Sequence, residues 1–165
     1  MTGQAPEPGL WEFSVRLYAH EAVKASALAL QDAGLDVNIA FWIVWSTGHG
    51  RDPVAVLDTA MALTGQWHAL ATGPLRSVRD GLKAPGAAVP PDAARTLRHS
   101  VLDAELAAEK IAQTLLENLD LPGRPGDTPW PAAAQAALES YAARMQVTAP
   151  LAPFKEAVFL TQKKE

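Results

Sequence analysis

The chain of 165 residues (17.5 kDa) has a net charge of −4, a pI near 5.5 and no cysteine. Its length allows one hydrophobic core without help from disulfides or metals. The absence of cysteine excludes disulfide frameworks, thiolate zinc sites and cysteine nucleophiles. Its acidic balance argues against a dedicated nucleic-acid-binding protein, which normally presents a basic face.

The N-terminal residues predict an arm followed by one domain. Residues 1–9 are rich in proline and glycine and are predicted to form a flexible arm, and residues 10–165 are predicted to form a single helical domain. No basic and apolar signal segment begins the chain. The longest apolar run, residues 37–45, is about nine residues long, whereas a membrane span needs about 20. We therefore expect a cytoplasmic protein without a membrane-spanning segment.

Helix-forming residues dominate between clear breaks, and no segment alternates apolar and polar residues with the period of a β-strand. The sequence therefore predicts an all-α fold, a compact and irregular bundle of about six or seven helices. The predicted helices cover residues 11–18, 21–33, 37–46, 53–83 (with breaks or kinks at Gly65 and Gly73–Pro74), 91–120, 132–147 and 153–162.

Three helix boundaries carry specific signals. Gly34 stands where a left-handed cap would end the second helix. Asp36 and Asp52 are predicted to cap the helices that follow them, the second one with a proline in its first turn. The helix after Asp36 is apolar nearly all round, which is typical of a central, buried helix.

Aromatic side chains are concentrated in the first quarter of the chain, and an aromatic set at helical spacing is typical of a core. The helix over residues 37–46, however, carries more bulky side chains than a small bundle easily covers. We therefore expect one aromatic face to meet a partner protein or a second copy of the chain, since tryptophan is a favoured interface residue. The candidate residues of this face are Trp11, Phe41, Trp42 and Trp45.

The helix over residues 91–120 carries apolar residues that alternate four and three apart, as in the seam of a helical bundle. The predicted seam consists of Leu97, Val101, Ala104, Ala108, Ile111, Leu115 and Leu119. Glu105 and Glu109 lie on the shoulder of this seam. Carboxylates so close to a core rarely stay unpaired, because the burial of a lone charge is costly.

A polar stripe follows the helix around Pro74, with residues spaced four, four, three and four apart: His68, Thr72, Arg76, Arg79 and Lys83. Three interpretations stay open. In the first, Glu105 and Glu109 pair with Arg76 or Arg79 across a helix contact. In the second, these groups line a pocket for an anionic or polar ligand. In the third, the stripe is simply a solvated face. The candidate ligand-binding residues are Arg76, Arg79, Lys83, Glu105, Glu109 and His68.

Other candidates for chemistry are weak. Asp32 and Asp36 have the spacing of magnesium-binding aspartates in helical isoprenoid synthases, but Gly34 between them predicts a helix end, which favours capping. The four histidines show no metal-ligand spacing. No nucleophile elbow, phosphate loop or dinucleotide motif is present. We therefore expect no metal and no cofactor, and we favour a protein without enzymatic activity.

Two blocks carry a resemblance to a known family: LWEFSVRLY at residues 10–18 and LALQDAGLDVN at residues 28–38. Together with Trp67 and PLRSVRDGLK at residues 74–83, they resemble an uncharacterised proteobacterial family that is described only as conserved hypothetical, or domain-of-unknown-function, proteins. The resemblance covers roughly residues 10–120. It implies a bacterial, cytoplasmic, all-α protein and carries over no activity.

One block departs from the pattern of that family and another agrees with it. Residues 20–23 read HEAV where the family usually has Pro-Gly-Val, so the resemblance implies no role for this turn. Residues 104–109, AELAAE, resemble the acidic helix of the family.

Three functional hypotheses follow. The first is a non-enzymatic protein-interaction or adaptor module that binds an unidentified protein or associates with itself. The second is a small-molecule-binding protein or enzyme with a polar pocket between the helices of residues 67–83 and 92–120. The third and weakest is a membrane-surface protein that uses Phe154, Val158 and Phe159 of the last helix.

Overall fold

The computed structural model describes residues 8–162, which form eight α-helices and no β-strand. The helices are α1 (Leu10–Tyr18), α2 (Glu21–Asp32), α3 (Val37–Gly48), α4 (Leu57–Trp67), α5 (Gly73–Gly81), α6 (Pro91–Glu117), α7 (Trp130–Arg144) and α8 (Leu151–Gln162). A 3₁₀ turn, Pro53–Val56, precedes α4, and a π-helical turn, His68–Thr72, joins α4 to α5. With α4 and α5 counted as one continuous helical segment, seven helices result, and the predicted all-α bundle is confirmed.

The predicted caps at Asp36 and Asp52 are confirmed, although Asp52 caps the 3₁₀ turn Pro53–Val56 and α4 itself begins at Leu57. Asp36 accepts a hydrogen bond from the backbone N–H of Asn38 at 2.8 Å. Asp52 likewise accepts a hydrogen bond from the backbone N–H of Val54 at 3.1 Å, and Pro53 follows Asp52 in the first turn. Gly34 has a φ of 99°, a conformation that L-residues with a side chain rarely adopt. Each aspartate cap satisfies a backbone N–H that the following helical turn leaves without a partner.

The hydrophobic core is built around α3, as its apolar sequence predicts. Trp42 and Ile43 of α3 are fully buried, and they belong to one cluster with buried residues of α1, α2, α4, α6, α7 and α8. The ring of Phe41 packs against that of Phe154 of α8, with 5.6 Å between the ring centroids. Burial of this apolar surface is the main favourable contribution to folding.

The predicted seam of α6 is wrong in phase. Leu97 is 52% exposed and Ile111 is 45% exposed. The residues of α6 that are buried are Ala94, Glu105, Ala108, Ala112, Gln113 and Leu116. The small alanine side chains face the bundle, and the carboxylate of Glu105 is buried because arginines of α5 neutralise it.

The predicted aromatic interaction face is not present as one exposed surface. Phe41 and Trp42 are buried in the core of this chain. Trp45 is partly buried, and its indole N–H donates to the carbonyl of Pro8 at 3.1 Å. Trp11 is partly buried and lies under the ammonium group of Lys110, 5.7 Å from the ring centroid. Neighbouring helices of the same chain cover the bulky side chains of α3, which the sequence predicted to be covered by a partner protein or a second copy of the chain.

The C-terminal helix is also part of the bundle. Phe154 and Val158 are buried in the core, and the ring of Phe159 packs edge-on against Trp130 at 5.3 Å. The prediction of a membrane-facing surface on this helix is therefore wrong. Among residues 8–162, no helix combines the length and the apolar character needed to cross a membrane. Most of the predicted arm, residues 1–9, lies outside the described residues.

Candidate functional site

A cleft of about 960 Å³ lies between α1, α3, the α4–α5 segment and α6. Small-molecule sites in proteins occupy about 300–1,000 Å³, so this volume is at the upper end of their range. Two groups of side chains line the cleft. We call the first the polar wall: Asn38, Arg76, Glu105, Glu109 and Gln113. We call the second the apolar rim: Val15, Tyr18, Leu28, Leu106 and Met145.

Arginines of α5 and glutamates of α6 form the centre of the polar wall. Nε of Arg76 lies 3.1 Å from Oε1 of Glu105, and its Nη2 lies 2.8 Å from Oε1 of Glu109. Nη1 of Arg79 approaches Oε2 of Glu105 to 2.8 Å, a close charge contact without the alignment of a hydrogen bond. The predicted ion pairs between the two helices are therefore present, and they lie in the wall of a cleft.

Helical spacing explains why these charges meet. Glu105 and Glu109 are one turn apart on α6, and Arg76 and Arg79 are three residues apart on α5, so each pair projects from one side of its helix. The two helices pack against each other. One guanidinium group can then bridge two carboxylates, as Arg76 does.

The π-helical turn His68–Thr72 precedes α5 at the point where the sequence predicts a kink. Pro74 has no N–H to donate, and its ring crowds the preceding turn, so a regular α-helix is interrupted here. Gly73 is required at this point, since a Cβ atom would lie 2.8 Å from the carbonyl oxygen of His68. Such wide turns are frequent at functional sites, and this one directly precedes the arginines of the polar wall.

Two amides, one on α3 and one on α6, continue the polar wall beyond Glu109. The side-chain amide of Asn38 donates a short hydrogen bond to Oε2 of Glu109. The amide of Gln113 donates to Oδ1 of Asn38 at 2.9 Å. A carboxylate paired with Arg76 can only accept hydrogen bonds, so Asn38 must point its NH₂ group at Glu109. The oxygen of Asn38 then faces Gln113, which must point its own NH₂ group at Asn38. Oε1 of Gln113 is left buried and without a hydrogen-bond partner among the described residues.

Burial and neighbouring charges raise the pKa values of the acidic groups in the cleft. The pKa of Glu109 is raised mainly by burial and also by the charges of Asp36 and Glu105, against the opposing effects of Asn38 and Arg76. Burial likewise raises the pKa of Asp36, and that of Tyr18, to which Glu109 also contributes. Glu109 therefore lies within electrostatic reach of Asp36 and Tyr18 across the cleft.

Asp36 is held in place at the border of the cleft by α7. Its backbone N–H donates to the phenol oxygen of Tyr141 at 2.8 Å. Tyr141 is almost completely buried, and burial raises the pKa of its phenol. The α2–α3 loop, with its cap at Asp36, is thereby attached to the core.

The remaining predicted residues are divided between the cleft and the outer surface. His68 lines the cleft, and its Nδ1 lies 3.0 Å from the hydroxyl of Thr72. Lys83 lies outside the cleft, where its ammonium group is 2.8 Å from Asp80 and its side chain is 59% exposed. Of the aromatic candidates, Trp11 and Phe41 contribute to the cleft lining.

Sequence reasoning missed Asn38, Asp36 and Gln113 as parts of the cleft. A signal existed for Gln113, because it follows Glu105 and Glu109 at the same four-residue spacing on α6. Asn38 comes from a distant helix, and no local spacing indicated its contact with them. Among residues 8–162, no cluster of three or more His, Asp or Glu side chains is arranged to hold a metal ion.

Residues 9–116 match a family whose members are described as "Protein of unknown function (DUF2390)". The match covers more than half of the chain, so the chain belongs to this family, and the resemblance to an uncharacterised family is confirmed. The matched region contains the whole polar wall, whereas α7 and α8 lie beyond it. No curated protein and no solved structure matches the chain.

Proposed function

We propose that this member of the DUF2390 family binds a small organic molecule in the cleft between α1, α3, α5 and α6. The observation that carries the proposal is the combination of the polar wall and the apolar rim around one concave space. Small-molecule sites typically pair extensive apolar contact with a few well-positioned polar groups.

The apolar rim supports a ligand with a sizeable apolar part. Each of its five side chains is more than a third exposed, although all are large and apolar or aromatic. Exposed apolar side chains around a concavity are typical of binding sites. Trp11, Phe41 and Trp67 add aromatic surface to the lining.

The polar wall supports a polar head group more than an anionic one. Arg76 contacts both Glu105 and Glu109, and Arg79 contacts Glu105. Glutamates already neutralise both guanidinium groups, so an anion would gain little attraction unless it displaced a carboxylate and left it buried, which is costly. Of the two ligand types suggested by the sequence, the neutral or donor-rich type therefore fits better.

A substitution that fills the cleft tests the proposal. Gly65 lines the cleft, and a Cβ atom there would meet nothing within 4 Å. Gly65→Leu adds a side chain at the cleft and improves helix propensity, so the fold should be retained. Gly81→Leu is the matched control, since Gly81 also has open space around its Cβ position but does not line the cleft.

Fluorescence of the neutral apolar dye Nile red provides the readout. We expect the dye to bind the unmodified chain and Gly81→Leu equally, and to lose most of its emission with Gly65→Leu. Equal emission from all three proteins, or no emission from the unmodified chain, would contradict a binding cleft.

Protein binding, as an interaction or adaptor module, is the second candidate. Leu97, Ala104 and Ile111 are exposed at seven-residue intervals along α6, a spacing that keeps them on one face. This exposed stripe supports self-association or contact with a partner helix.

Light scattering after size-exclusion chromatography tests self-association. The double variant Leu97→Glu and Ile111→Glu should convert a dimer to a monomer. Leu160→Glu on α8, the control, should leave the dimer intact. A monomer in every case would contradict self-association.

A further inference from the structure

The charged groups around the cleft do not balance. Among residues 8–162, three carboxylates line it, those of Asp36, Glu105 and Glu109, against the two guanidinium groups of Arg76 and Arg79. The carboxylates therefore outnumber the guanidinium groups of the lining by one. A low-polarity cleft amplifies the effect of such a charge on whatever binds there.

Asp36 accounts for the surplus. Both arginines are already in contact with glutamates. The carboxylate of Asp36 accepts the backbone N–H of Asn38 and forms no ion pair within residues 8–162. Asp36 as a residue is partly exposed and lines the cleft, so a ligand there can approach it.

Two buried oxygen atoms of the cleft lining also lack donors. Within residues 8–162, neither Oε1 of Gln113 nor the hydroxyl oxygen of Ser14 has a hydrogen-bond partner, and both residues line the cleft. The relay from Glu109 through Asn38 makes the free atom of Gln113 an acceptor. A buried acceptor without a partner is destabilising, so a ligand group that supplies N–H donors to this part of the cleft is favoured.

We propose that the ligand carries a cationic amine on an apolar body, with the charge balanced by Asp36 and the apolar part held by the rim. This inference rests on the proposed function and names the chemical class of its ligand. The aromatic lining residues Tyr18 and Trp67 suit such a ligand, because aromatic faces attract cations as well as apolar groups.

Three probes of similar shape and different charge test the inference: 2-phenylethylammonium, 2-phenylethanol and 3-phenylpropanoate. Each is titrated into the full chain, and binding is measured by calorimetry. We expect the ammonium probe to bind about tenfold more tightly than the alcohol, and the carboxylate probe to bind most weakly. Addition of salt should reduce the difference, since the charge is partly exposed.

Asp36→Asn isolates the charge that carries the inference. Asparagine caps a helix about as well as aspartate, so the start of α3 should be unchanged. Asp52→Asn is the matched control: Asp52 has the same capping role, through Val54, and does not line the cleft. We expect the preference for the ammonium probe to disappear in Asp36→Asn and to persist in Asp52→Asn.

The outcomes separate the two proposals. Equal binding of the ammonium and alcohol probes, a preference for the carboxylate, or an unchanged preference in Asp36→Asn would overturn the cationic class and leave the cleft as a binding site. If none of the three probes binds, while Nile red also fails to bind, the proposed function itself is overturned.

Discussion

Nη2 of Arg76 lies 2.8 Å from Oε1 of Glu109, and this contact joins α5 to α6 beside a cleft rather than within a closed core. The same guanidinium group also contacts Glu105, whose side chain is only 5% exposed. The pairing therefore has two consequences. It neutralises a carboxylate that the helix contact buries, and it leaves the second carboxylate oriented by Asn38 towards the cleft.

Removal of the charge at Glu105 should destabilise the fold. Glu105→Gln leaves Arg79 without its charge contact on Glu105 and weakens the contact with Arg76. We expect a loss of about 1–3 kcal/mol in the free energy of unfolding, below the value for a fully buried pair because both arginines are partly exposed. Urea unfolding measures it.

Glu139→Gln is the control for this prediction. Glu139 also pairs with a cation, Lys155 at 3.6 Å, but on the surface, where such pairs contribute little. Equal unfolding midpoints for the two variants would show that the α5–α6 ion pairs do not stabilise the bundle.

The phenol of Tyr141 should contribute to stability through its contact with the α2–α3 loop. Tyr141→Phe leaves the backbone N–H of Asp36 without its acceptor, and we expect a cost of about 1–2 kcal/mol. Tyr18→Phe is the control, since its ring is more exposed and lies at the cleft rim. Thermal unfolding of both variants checks this, and a Tyr141→Phe protein as stable as Tyr18→Phe would refute it.

Spacing on single helices allowed the ion pairs to be predicted, whereas contacts between distant segments escaped prediction. The arginines of α5 and the glutamates of α6 each lie at helical intervals, so their shared faces could be read from the sequence. The link from Glu109 through Asn38 to Gln113 involves a helix about 70 residues away in the chain. Nothing in local spacing indicates such a contact.

The errors have a common physical cause. The phase of α6 was inferred from its large apolar residues, but the bundle buries alanines and a neutralised carboxylate on that helix and leaves Leu97 exposed. The aromatic face was inferred from the size of the α3 side chains, but Phe154 and other residues of later helices cover them. In both cases the sequence gives the chemistry of a helix surface and not the number of neighbours that cover it.

Stability should depend on pH through Asp36 and Glu109. Burial raises the pKa values of both carboxyl groups, so the folded chain binds these protons more tightly than the unfolded chain. Their contribution to the free energy of unfolding is therefore greatest below the ordinary carboxyl pKa of about 4, and it falls as the pH rises through the raised values. Asp36→Asn should weaken this decrease with rising pH.

Asp80 provides a contrast of opposite sign. A hydrogen bond from Lys83 lowers the pKa of Asp80, so its contribution is present above the ordinary carboxyl pKa and is lost as the pH falls through the lowered value. The urea midpoint of each variant is compared with that of the unmodified chain at several acidic pH values. As the pH rises, this difference should change in one direction for Asp36→Asn and in the opposite direction for Asp80→Asn. Parallel changes would contradict the assigned directions.

The π-helical turn before α5 should tolerate no side chain at Gly73. A Cβ atom there would approach the carbonyl oxygen of His68 to 2.8 Å, and a backbone atom inside a helix cannot move away cheaply. We expect Gly73→Ala to destabilise the fold by about 1–3 kcal/mol. Gly65→Ala, in open space on α4, should instead stabilise it by up to about 1 kcal/mol through helix propensity.

Because Arg76 follows Gly73 within one turn, Gly73→Ala should also weaken Nile red binding, and Gly65→Ala should affect it less than Gly65→Leu does. A Gly73→Ala protein with unchanged stability and dye binding would show that the π turn does not position the polar wall.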